Sequence, residues 1–258
     1  MALKNKKELG QNWLRDRGML EAIVDEADLS AGDTVLEIGP GLGTLTSELL
    51  RRAGKVVAVE LDSERAAKLP AQFPGKNLTV INEDILSYDL ERLPTGYKVV
   101  ANVPYYITSK IIEKLMTASN RPSVIVILVQ KEVAERIVAR PGGMSILAIS
   151  AQIFAKTYLG IEIPRQFFTP VPKVDSQVVV LEMRDKPLVL EKDQKAFFRV
   201  VKAGFANKRK KLRSSMSAGL AISKSDAEKL LRQAGIDPDL RAEDLSIDDW
   251  IRLMRGAA

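Results

Sequence analysis

Short apolar runs alternate with amphipathic stretches through the first 185 or so residues of the chain. The runs are rich in β-branched and aliphatic residues and contain no proline, which is typical of strands buried on both faces. The predicted strands are Thr34–Ile38, Val56–Glu60, Leu78–Ile81, Lys98–Asn102 and Val124–Val129, and the predicted helices are Leu45–Arg52, Ser63–Gln72, Ser109–Thr117 and Lys131–Ala139. Strand–helix alternation with short connections predicts a mostly parallel sheet with helices on both faces.

Two further strand candidates, Thr157–Ile163 and Gln177–Met183, flank a proline-rich loop. We expect them to form an antiparallel hairpin at one edge of the sheet. A doubly wound sheet that ends in such a hairpin resembles the Rossmann-like methyltransferase plan rather than the plan of dinucleotide dehydrogenases. The expected fold class is therefore α/β.

The pattern becomes purely helical after about residue 186, and no further strand is evident. The predicted helices there are Phe197–Phe205, Ala227–Ala234 and Ile247–Met254. Ser225 and Glu228 have the spacing of a capping box at a helix start. We predict two domains, an α/β domain over 1–186 and a small all-helical domain over 187–258.

The composition restricts the chemistry that the chain can perform. Its 258 residues are 46% hydrophobic and 28% charged, which excludes a chain that is disordered throughout. It contains no Cys and no His. These absences exclude thiol and imidazole catalysis, disulfide bonds and thiolate zinc sites, and we predict no metal site. Catalysis must therefore depend on positioning, hydrogen bonding or a carboxylate.

The hydropathy pattern gives no sign of a membrane segment. No stretch approaches the ~18 consecutive apolar residues that a membrane span needs. The N-terminal sequence MALKNKKELGQNWLRD is basic, but no apolar segment follows it, so we expect no signal peptide. We expect a cytoplasmic protein that is a monomer.

A glycine-rich turn follows the first predicted strand, in the segment VLEIGPGLGTLT over 35–46. Gly39, Gly41 and Gly43 let the backbone turn sharply and let a ligand approach it closely. The helix that follows offers free N–H groups to an anionic group. The spacing is GxGxG rather than the GxGxxG of most dinucleotide sites. Taken alone, the turn could be no more than a tight strand–helix connection.

Acidic residues stand at the ends of the next two predicted strands. Glu60 stands about twenty residues past the glycines, where nucleotide-binding α/β folds place a carboxylate that accepts hydrogen bonds from ribose hydroxyls. Asp84 could accept a hydrogen bond from the adenine amine, with Ile85 against the ring. Taken separately, Glu60 could be a solvated residue and Asp84 a turn cap. Together with the glycines they predict an adenosine site at the ligand-binding edge of the sheet.

The fourth predicted strand ends in NVPYY over 102–106, which matches the Asn/Asp-x-Pro-Tyr/Phe pattern of enzymes that methylate exocyclic amines. An adenine amine is a poor nucleophile because its lone pair is delocalised into the ring. The side-chain oxygen of Asn102 and the carbonyl of Pro104 can each accept one of its N–H bonds and so aim the lone pair at a methyl group. Tyr105 can stack on the base, which contributes ~1–3 kcal/mol. The alternative is a proline turn packed by tyrosines.

This reaction needs no strong base, so it suits a chain without His. The methylated nitrogen is cationic and can lose its proton to water. We expect the methyl donor to be S-adenosylmethionine, whose sulfonium gives a neutral leaving group. In-line alignment then matters most, and proximity can lower such barriers by ~7–11 kcal/mol.

Basic residues are concentrated in the predicted helical domain. Eight Lys or Arg and no acid occur from Lys195 to Ser223, in a chain whose net charge is +6. The densest group consists of Lys208, Arg209, Lys210, Lys211 and Arg213. Such a concentration predicts contacts with nucleic-acid phosphates. The alternative is an ordinary solvated face.

Six segments carry a resemblance to a known family. In order they are LGQNWL (9–14), EIGPGLGTLT, VAVELD, NEDIL, NVPYYITS and FTPVPKVDS (168–176). With the basic helix, they resemble the KsgA-type small-subunit ribosomal RNA adenine dimethyltransferases over nearly the whole chain. The resemblance implies N6,N6-dimethylation of two adjacent adenosines in a hairpin loop near the 3′ end of small-subunit rRNA. The implied partner is rRNA within a pre-small-subunit particle during ribosome assembly.

The same resemblance implies residue roles. The implied cofactor contacts are Asn12, Leu14, Gly39, Glu60, Asp84 and Asn102, with Gln11 beside them. The implied catalytic loop consists of Asn102, Pro104 and Tyr105, and Phe168 is expected to stack on the other face of the target adenine. Without the resemblance, the proline-rich loop around Phe168 could be a rigid crossover between edge strands.

Two positions depart from the family pattern. Trp13 stands where the family has Phe, which is a conservative aromatic change. Tyr106 stands where relatives often have a small or polar residue, and this leaves open whether Tyr105 or Tyr106 lines the base pocket.

The sequence leaves other functions open. A large-subunit rRNA adenine methyltransferase of the resistance type would share the motifs and the fold. An RNA-binding assembly factor with little turnover, or a DNA adenine methyltransferase, would also be compatible with them.

Overall fold

The computed structural model describes residues 12–256. Within them the chain divides into two compact units, one made of 12–134 and 156–183 and the other of 135–155 and 184–256. The predicted boundary at 186 lies close to the last of these divisions, between 183 and 184. No pattern in the sequence indicated that 135–155 groups with the helical unit.

The strands are β1 (Trp13–Leu14), β2 (Thr34–Ile38), β3 (Lys55–Val59), β4 (Leu78–Ile81), β5 (Lys98–Asn102), β6 (Val124–Gln130), β7 (Ala155–Ile163), β8 (Phe168–Thr169) and β9 (Ser176–Met183). The helices are α1 (Arg17–Asp25), α2 (Thr44–Arg52), α3 (Ser63–Lys68), α4 (Thr108–Thr117), α5 (Lys131–Val138), α6 (Ile146–Gln152), α7 (Glu191–Gly204), α8 (Leu212–Leu220), α9 (Lys224–Gln233) and α10 (Ile247–Gly256). The sequence predicted the strands of the large sheet to within two residues at each end and missed α1, α6 and α8.

Seven strands form the main sheet in the order β4-β3-β2-β5-β6-β9-β7. The first five strands are parallel to one another, whereas β9 is antiparallel to β6 and β7 lies outside β9 at the edge. This confirms the predicted Rossmann-like class with a two-stranded addition at one edge. The strand order reverses between β2 and β5, which makes that gap the topological switch point of the sheet.

A second, two-stranded sheet joins β1 to β8 and was not predicted. The strands are antiparallel, with Trp13 opposite Thr169 and Leu14 opposite Phe168. Leu14 and Phe168 are each 1% exposed and belong to the hydrophobic core of the first unit. The N-terminal segment is thereby held by the proline-rich loop through side-chain burial as well as backbone pairing.

The second unit is helical, in agreement with the prediction. Trp250 is fully buried in it and stacks on Phe205 with ring centroids 5.7 Å apart. The predicted capping box at Ser225 and Glu228 is wrong, because α9 begins earlier. Its N-cap is Ser223, whose hydroxyl accepts the Asp226 N–H at 3.0 Å. No helix within residues 12–256 is long and apolar enough to cross a membrane.

Candidate cofactor and substrate site

A cavity opens at the carboxyl ends of the parallel strands, in the first unit. Its volume is about 1050 Å³ with the space open to solvent included. Most of its wall comes from residues 12–14, 37–45, 59–65, 83–85 and 102–107. The segments that the sequence singled out around the switch point therefore meet in one place.

The glycine-rich turn connects β2 to α2 in a backbone conformation that favours glycine. Gly39, Gly41 and Gly43 have φ values of +67°, +56° and +78°, a region that costs other residues free energy. The Gly39 N–H donates to the Val59 carbonyl at 2.9 Å, and the Gly41 N–H donates to Glu60 Oε2 at 3.1 Å. The turn is thus fastened to the end of β3.

Glu60 is buried and already oriented. Its Oε1 accepts the Asp62 N–H at 2.8 Å while its Oε2 holds the turn, and only 5% of the residue is exposed. The Asn82 amide donates to the Glu60 carbonyl at 2.8 Å and fixes the backbone as well. A carboxylate has about four lone-pair sites, so each oxygen can still accept a ligand hydroxyl.

Asp84 and Ile85 lie together on the cavity wall after β4. Asp84 is exposed, and its Oδ1 accepts the Leu86 N–H at 2.9 Å. One oxygen of this carboxylate therefore caps the turn, as in the alternative interpretation of Asp84. Ile85 is 5% exposed and presents an apolar surface to the cavity.

The NVPYY segment leaves β5 and starts the turn before α4. Asn102 and Pro104 both line the cavity. The Pro104 carbonyl accepts the Ile107 N–H at 3.3 Å and the Thr108 hydroxyl at 3.4 Å. Both distances exceed the usual ~2.7–3.2 Å of N–H···O bonds and ~2.5–3.0 Å of O–H···O bonds, so this oxygen is only weakly engaged.

The two tyrosines differ in how they are held. The hydroxyl of Tyr105 lies 2.7 Å from Ser176 Oγ at the start of β9, and Ser176 is fully buried. Burial raises the pKa of Tyr105 above its ordinary value, although the Ser176 bond opposes this, so the side chain stays a neutral phenol. Tyr106 is 63% exposed. Both line the cavity, but only Tyr105 has this fixed position.

Phe168 does not meet the expectation placed on it. It is 1% exposed, packs in the hydrophobic core and is not part of the cavity wall. In this arrangement its ring has no face available to a base, because β8 directs it inward against β1.

The N-terminal segment contributes two of its three predicted contacts. Asn12 and Leu14 line the cavity, and the Thr44 hydroxyl donates to the Leu14 carbonyl at 3.0 Å. Gln11 lies outside the described residues.

Several residues of the cavity wall were not predicted, and three of them carry polar groups that matter for the site. Glu37 on β2 is 1% exposed and accepts the Thr46 hydroxyl at 2.7 Å. Burial raises its pKa to about 8, the charge of Glu60 adds to the rise, and the Thr46 hydrogen bonds oppose it. Trp13 and Arg65 also line the cavity, with the guanidinium 5.2 Å from the centroid of the indole ring. In the sequence, the acid in EIGPG was the one available signal.

The basic group of the second unit divides into two sets. Lys208, Arg209 and Lys210 are exposed in the turn before α8. Lys211 and Arg213 are instead paired within the unit. Lys211 lies 2.9 Å from Asp239, and Arg213 lies 2.8 Å from Asp239 and 3.2 Å from Glu228. Three cations of the predicted five-residue cluster thus take part in none of the described ion pairs.

An adenosyl group fits the donors and acceptors of this cavity. The glycine turn allows close approach, Glu60 offers oriented acceptors for hydroxyls, and Ile85 offers an apolar face. Trp13 Nε1 and Arg65 Nη1 are buried donors with no partner among the described residues. With an asparagine and a tyrosine at the end of β5, fold and site define a Rossmann-like methyltransferase with the loop of enzymes that act on exocyclic amines.

Comparison with known proteins identifies the family within that class. A model of the ribosomal RNA adenine dimethylase family matches residues 2–258. The ribosomal RNA small subunit methyltransferase A of Dehalococcoides mccartyi (strain CBDB1) is 42% identical over 255 residues, which are 97% of this chain and 88% of that protein. The protein of the same name from Desulfitobacterium hafniense (strain DSM 10664 / DCB-2) is 44% identical over 253 residues, 96% and 90% of the two chains.

Solved structures agree with this. The 23S rRNA methyltransferase ErmE is similar with a TM-score of 0.78 and 28% identity, over 95% of this chain and 99% of that one. A dimethyladenosine transferase from Plasmodium falciparum has a TM-score of 0.79 and 27% identity, over 93% and 95%. The chain belongs to the ribosomal RNA adenine dimethylase family, and the prediction of an rRNA adenine dimethyltransferase is confirmed.

Proposed function

We propose that this enzyme uses S-adenosylmethionine to dimethylate N6 of two adjacent adenosines in a hairpin loop near the 3′ end of small-subunit rRNA. One observation carries the proposal: the NVPYY loop and the Glu60 site open into the same cavity. The small-subunit assignment is supported by relatives that are about 40% identical over nearly the whole chain.

The cofactor would be held by groups that are already in place. Glu60 would accept the ribose hydroxyls, Asp84 would accept the adenine amine, and Ile85 would pack on the ring. Gly39 and Gly41 would let the backbone approach the ligand. Asn12 and Leu14, with Gln11 beside them, would contribute from the N-terminal segment. S-adenosylmethionine, when bound, supplies an electrophilic methyl group.

The target amine would be oriented by the loop. The Asn102 oxygen accepts one N–H, and the Pro104 carbonyl accepts the other in exchange for its two long internal bonds. Tyr105, tied to Ser176, stacks on the base and holds its plane. Glu37 does not act as a base in this scheme, since water takes the proton from the methylated nitrogen.

The substrate is RNA, and the target base must leave its stack to enter the cavity. Lys208, Arg209 and Lys210 would contact phosphates. The setting that we propose is the cytoplasm, with a monomer acting on a pre-small-subunit particle during assembly.

The test is methyl transfer to small ribosomal subunits isolated from cells that lack this modification. The wild-type protein should place two methyl groups on each of two adjacent adenosines, as read by mass spectrometry of rRNA fragments. Asn102→Ala should abolish transfer while the dissociation constant for S-adenosylhomocysteine changes little. Asn77→Ala is the matched control, because Asn77 is exposed beyond the cavity wall. Wild-type turnover in Asn102→Ala would refute the catalytic role.

The likeness to ErmE supports a second candidate, methylation of large-subunit rRNA. Large subunits assayed in parallel separate the two, since label only in the large subunit moves the assignment there. If neither subunit gains methyl groups but the small subunit is bound tightly, the protein is an assembly factor with little turnover.

A further inference from the structure

Within residues 12–256, two residues of the cavity wall carry a buried donor without a hydrogen-bond partner. Among the described residues, four buried side-chain nitrogen or oxygen atoms have no hydrogen-bond partner, and two of them are Trp13 Nε1 and Arg65 Nη1. Such unpaired buried groups are uncommon in folded proteins. Both residues line the cavity, so a ligand there is the natural source of the missing acceptor.

Both residues lie on the same cavity wall as Glu60. Arg65 is 3% exposed in α3, its backbone N–H donates to Asp62 Oδ1 at 3.3 Å, and its guanidinium stacks over Trp13. A Cβ built on Gly41 would lie 3.8 Å from Trp13 Nε1. Gly41 in turn donates its N–H to Glu60. Arg65 takes part in none of the described ion pairs, and its guanidinium makes a cation–π contact with the Trp13 ring.

A vicinal diol needs both kinds of partner. Each hydroxyl has one proton to donate and lone pairs that accept. An ionised Glu60 can only accept hydrogen bonds. It therefore pairs with the hydroxyl protons of the diol, while the lone pairs of the diol oxygens still lack donors. A buried donor next to the carboxylate completes the set.

We propose that Arg65 supplies the hydrogen-bond donor of the ribose site. Its Nη1 donates to the oxygen of a ribose hydroxyl, and that hydroxyl donates a hydrogen bond to the Glu60 carboxylate. Trp13 is a positioning residue, since its ring holds the guanidinium in place. The inference rests on the proposed adenosyl cofactor. The alternative acceptor is the carboxylate of the cofactor's amino-acid part, but the neighbours Glu60 and Asp62 favour the ribose.

Calorimetric titration distinguishes these acceptors. The ligands are S-adenosylhomocysteine, 5′-methylthioadenosine, which lacks the amino-acid part, and the 2′-deoxy and 3′-deoxy forms of 5′-methylthioadenosine. Arg65→Met should lower the affinity for S-adenosylhomocysteine and for 5′-methylthioadenosine by the same factor, about tenfold. This is the loss expected for one hydrogen bond from a charged donor. For one of the two deoxy forms, Arg65→Met should lower the affinity by less than about twofold relative to the wild type, because that ligand lacks the oxygen to which Arg65 would donate.

Two further variants control for packing. Arg15→Met removes the other arginine over the Trp13 ring, which is exposed and outside the cavity wall, and should bind both full ligands like the wild type. Arg65→Lys keeps a cationic donor and should recover part of the preference for the full diol. The melting temperature of each variant without ligand reports whether it is folded.

Three results would overturn the proposal. They are unchanged affinity in Arg65→Met, weakening of S-adenosylhomocysteine alone, and equal weakening of the diol ligands and both deoxy forms. The last result would mean that Arg65 acts through packing. If the wild-type protein binds neither full ligand, the proposed cofactor fails instead, and that outcome is separate from a change confined to Arg65→Met.

Discussion

The carboxyl group of Glu37 is the clearest case in which burial changes the chemistry of one residue. Its ordinary pKa of 4.5 is raised to about 8, chiefly by burial. Between these pH values the folded protein holds a proton that the unfolded chain has released. The contribution of this group to the free energy of unfolding therefore falls as pH rises through that interval.

Replacing Glu37 with Gln should remove this pH dependence. Gln keeps an acceptor for the Thr46 hydroxyl and does not ionise. Relative to the variant, the wild-type free energy of unfolding should fall between pH 4.5 and 8, by at most ~1.4 kcal/mol per pH unit. Urea unfolding across that range measures it, with exposed Glu113→Gln as the control. Parallel curves for wild type and Glu37→Gln would show that the group titrates normally.

Single residues were predictable where a motif gives them a role. Gly39, Glu60 and Asn102 follow strands in recognisable segments, and all three line the cavity. Trp13 and Arg65 could not be paired from the sequence, because their contact joins β1 to α3 across the tertiary fold.

At the scale of elements, the β1–β8 pair decides what Phe168 does. Its ring fills the core opposite Leu14 rather than facing the cavity. The position of a motif along the chain indicated the loop correctly, but the direction of a side chain in a two-residue strand depends on a partner strand that the sequence pattern did not reveal.

Substitutions at Phe168 separate a core role from a stacking role. Phe168→Ala should lower the free energy of unfolding by about 3–5 kcal/mol through the cavity that it leaves. Phe168→Leu refills most of that space, so it should be nearly as stable as the wild type and retain methyl transfer. Chemical denaturation and the transfer rate are the measurements. A stable Phe168→Leu protein that has lost activity would restore the stacking role.

The helix α8 shows why some elements escape prediction. Its sequence, LRSSMSAGL, contains three serines and a glycine, which are weak helix formers. Its first turn is held instead by its surroundings: the Leu212 N–H donates to the Leu240 carbonyl at 2.7 Å, and Lys211 pairs with Asp239. The Lys211 hydrogen bond also lowers the pKa of Asp239 below its ordinary value.

At the scale of the whole molecule, the strand–helix order was enough to predict the sheet and the helical end. The assignment of 135–155 to the helical unit was not predictable, since an amphipathic pattern shows that a face is buried but not against which partner. The same limit applies to the basic cluster, because the acids that pair with Lys211 and Arg213 lie farther along the chain.

The chain has a net charge of +6. We expect Lys208, Arg209 and Lys210, which have no described ion pair, to provide much of its attraction for RNA. Changing Lys208, Arg209 and Lys210 to Gln should weaken binding of small-subunit rRNA. The slope of log affinity against log salt concentration should become shallower by about 2–3, since each phosphate that the variant no longer neutralises accounts for ~0.7–0.9. Filter binding over a salt series measures this. The matched control is Lys211→Gln with Arg213→Gln, which should mainly lower the melting temperature. Equal changes of slope in both variants would contradict the division of the cluster.

The carboxylate of Glu60 joins the glycine turn to the start of α3 through hydrogen bonds within the protein. An arriving nucleoside therefore meets walls that need little reshaping, and little of its binding free energy is lost in ordering the protein. A dimethyltransferase transfers two methyl groups to one nitrogen, so it must release the spent methyl donor and bind a fresh one between the two transfers. Because the hydrogen bonds that orient Glu60 come from the protein itself, this part of the site does not have to be rebuilt between the two transfers.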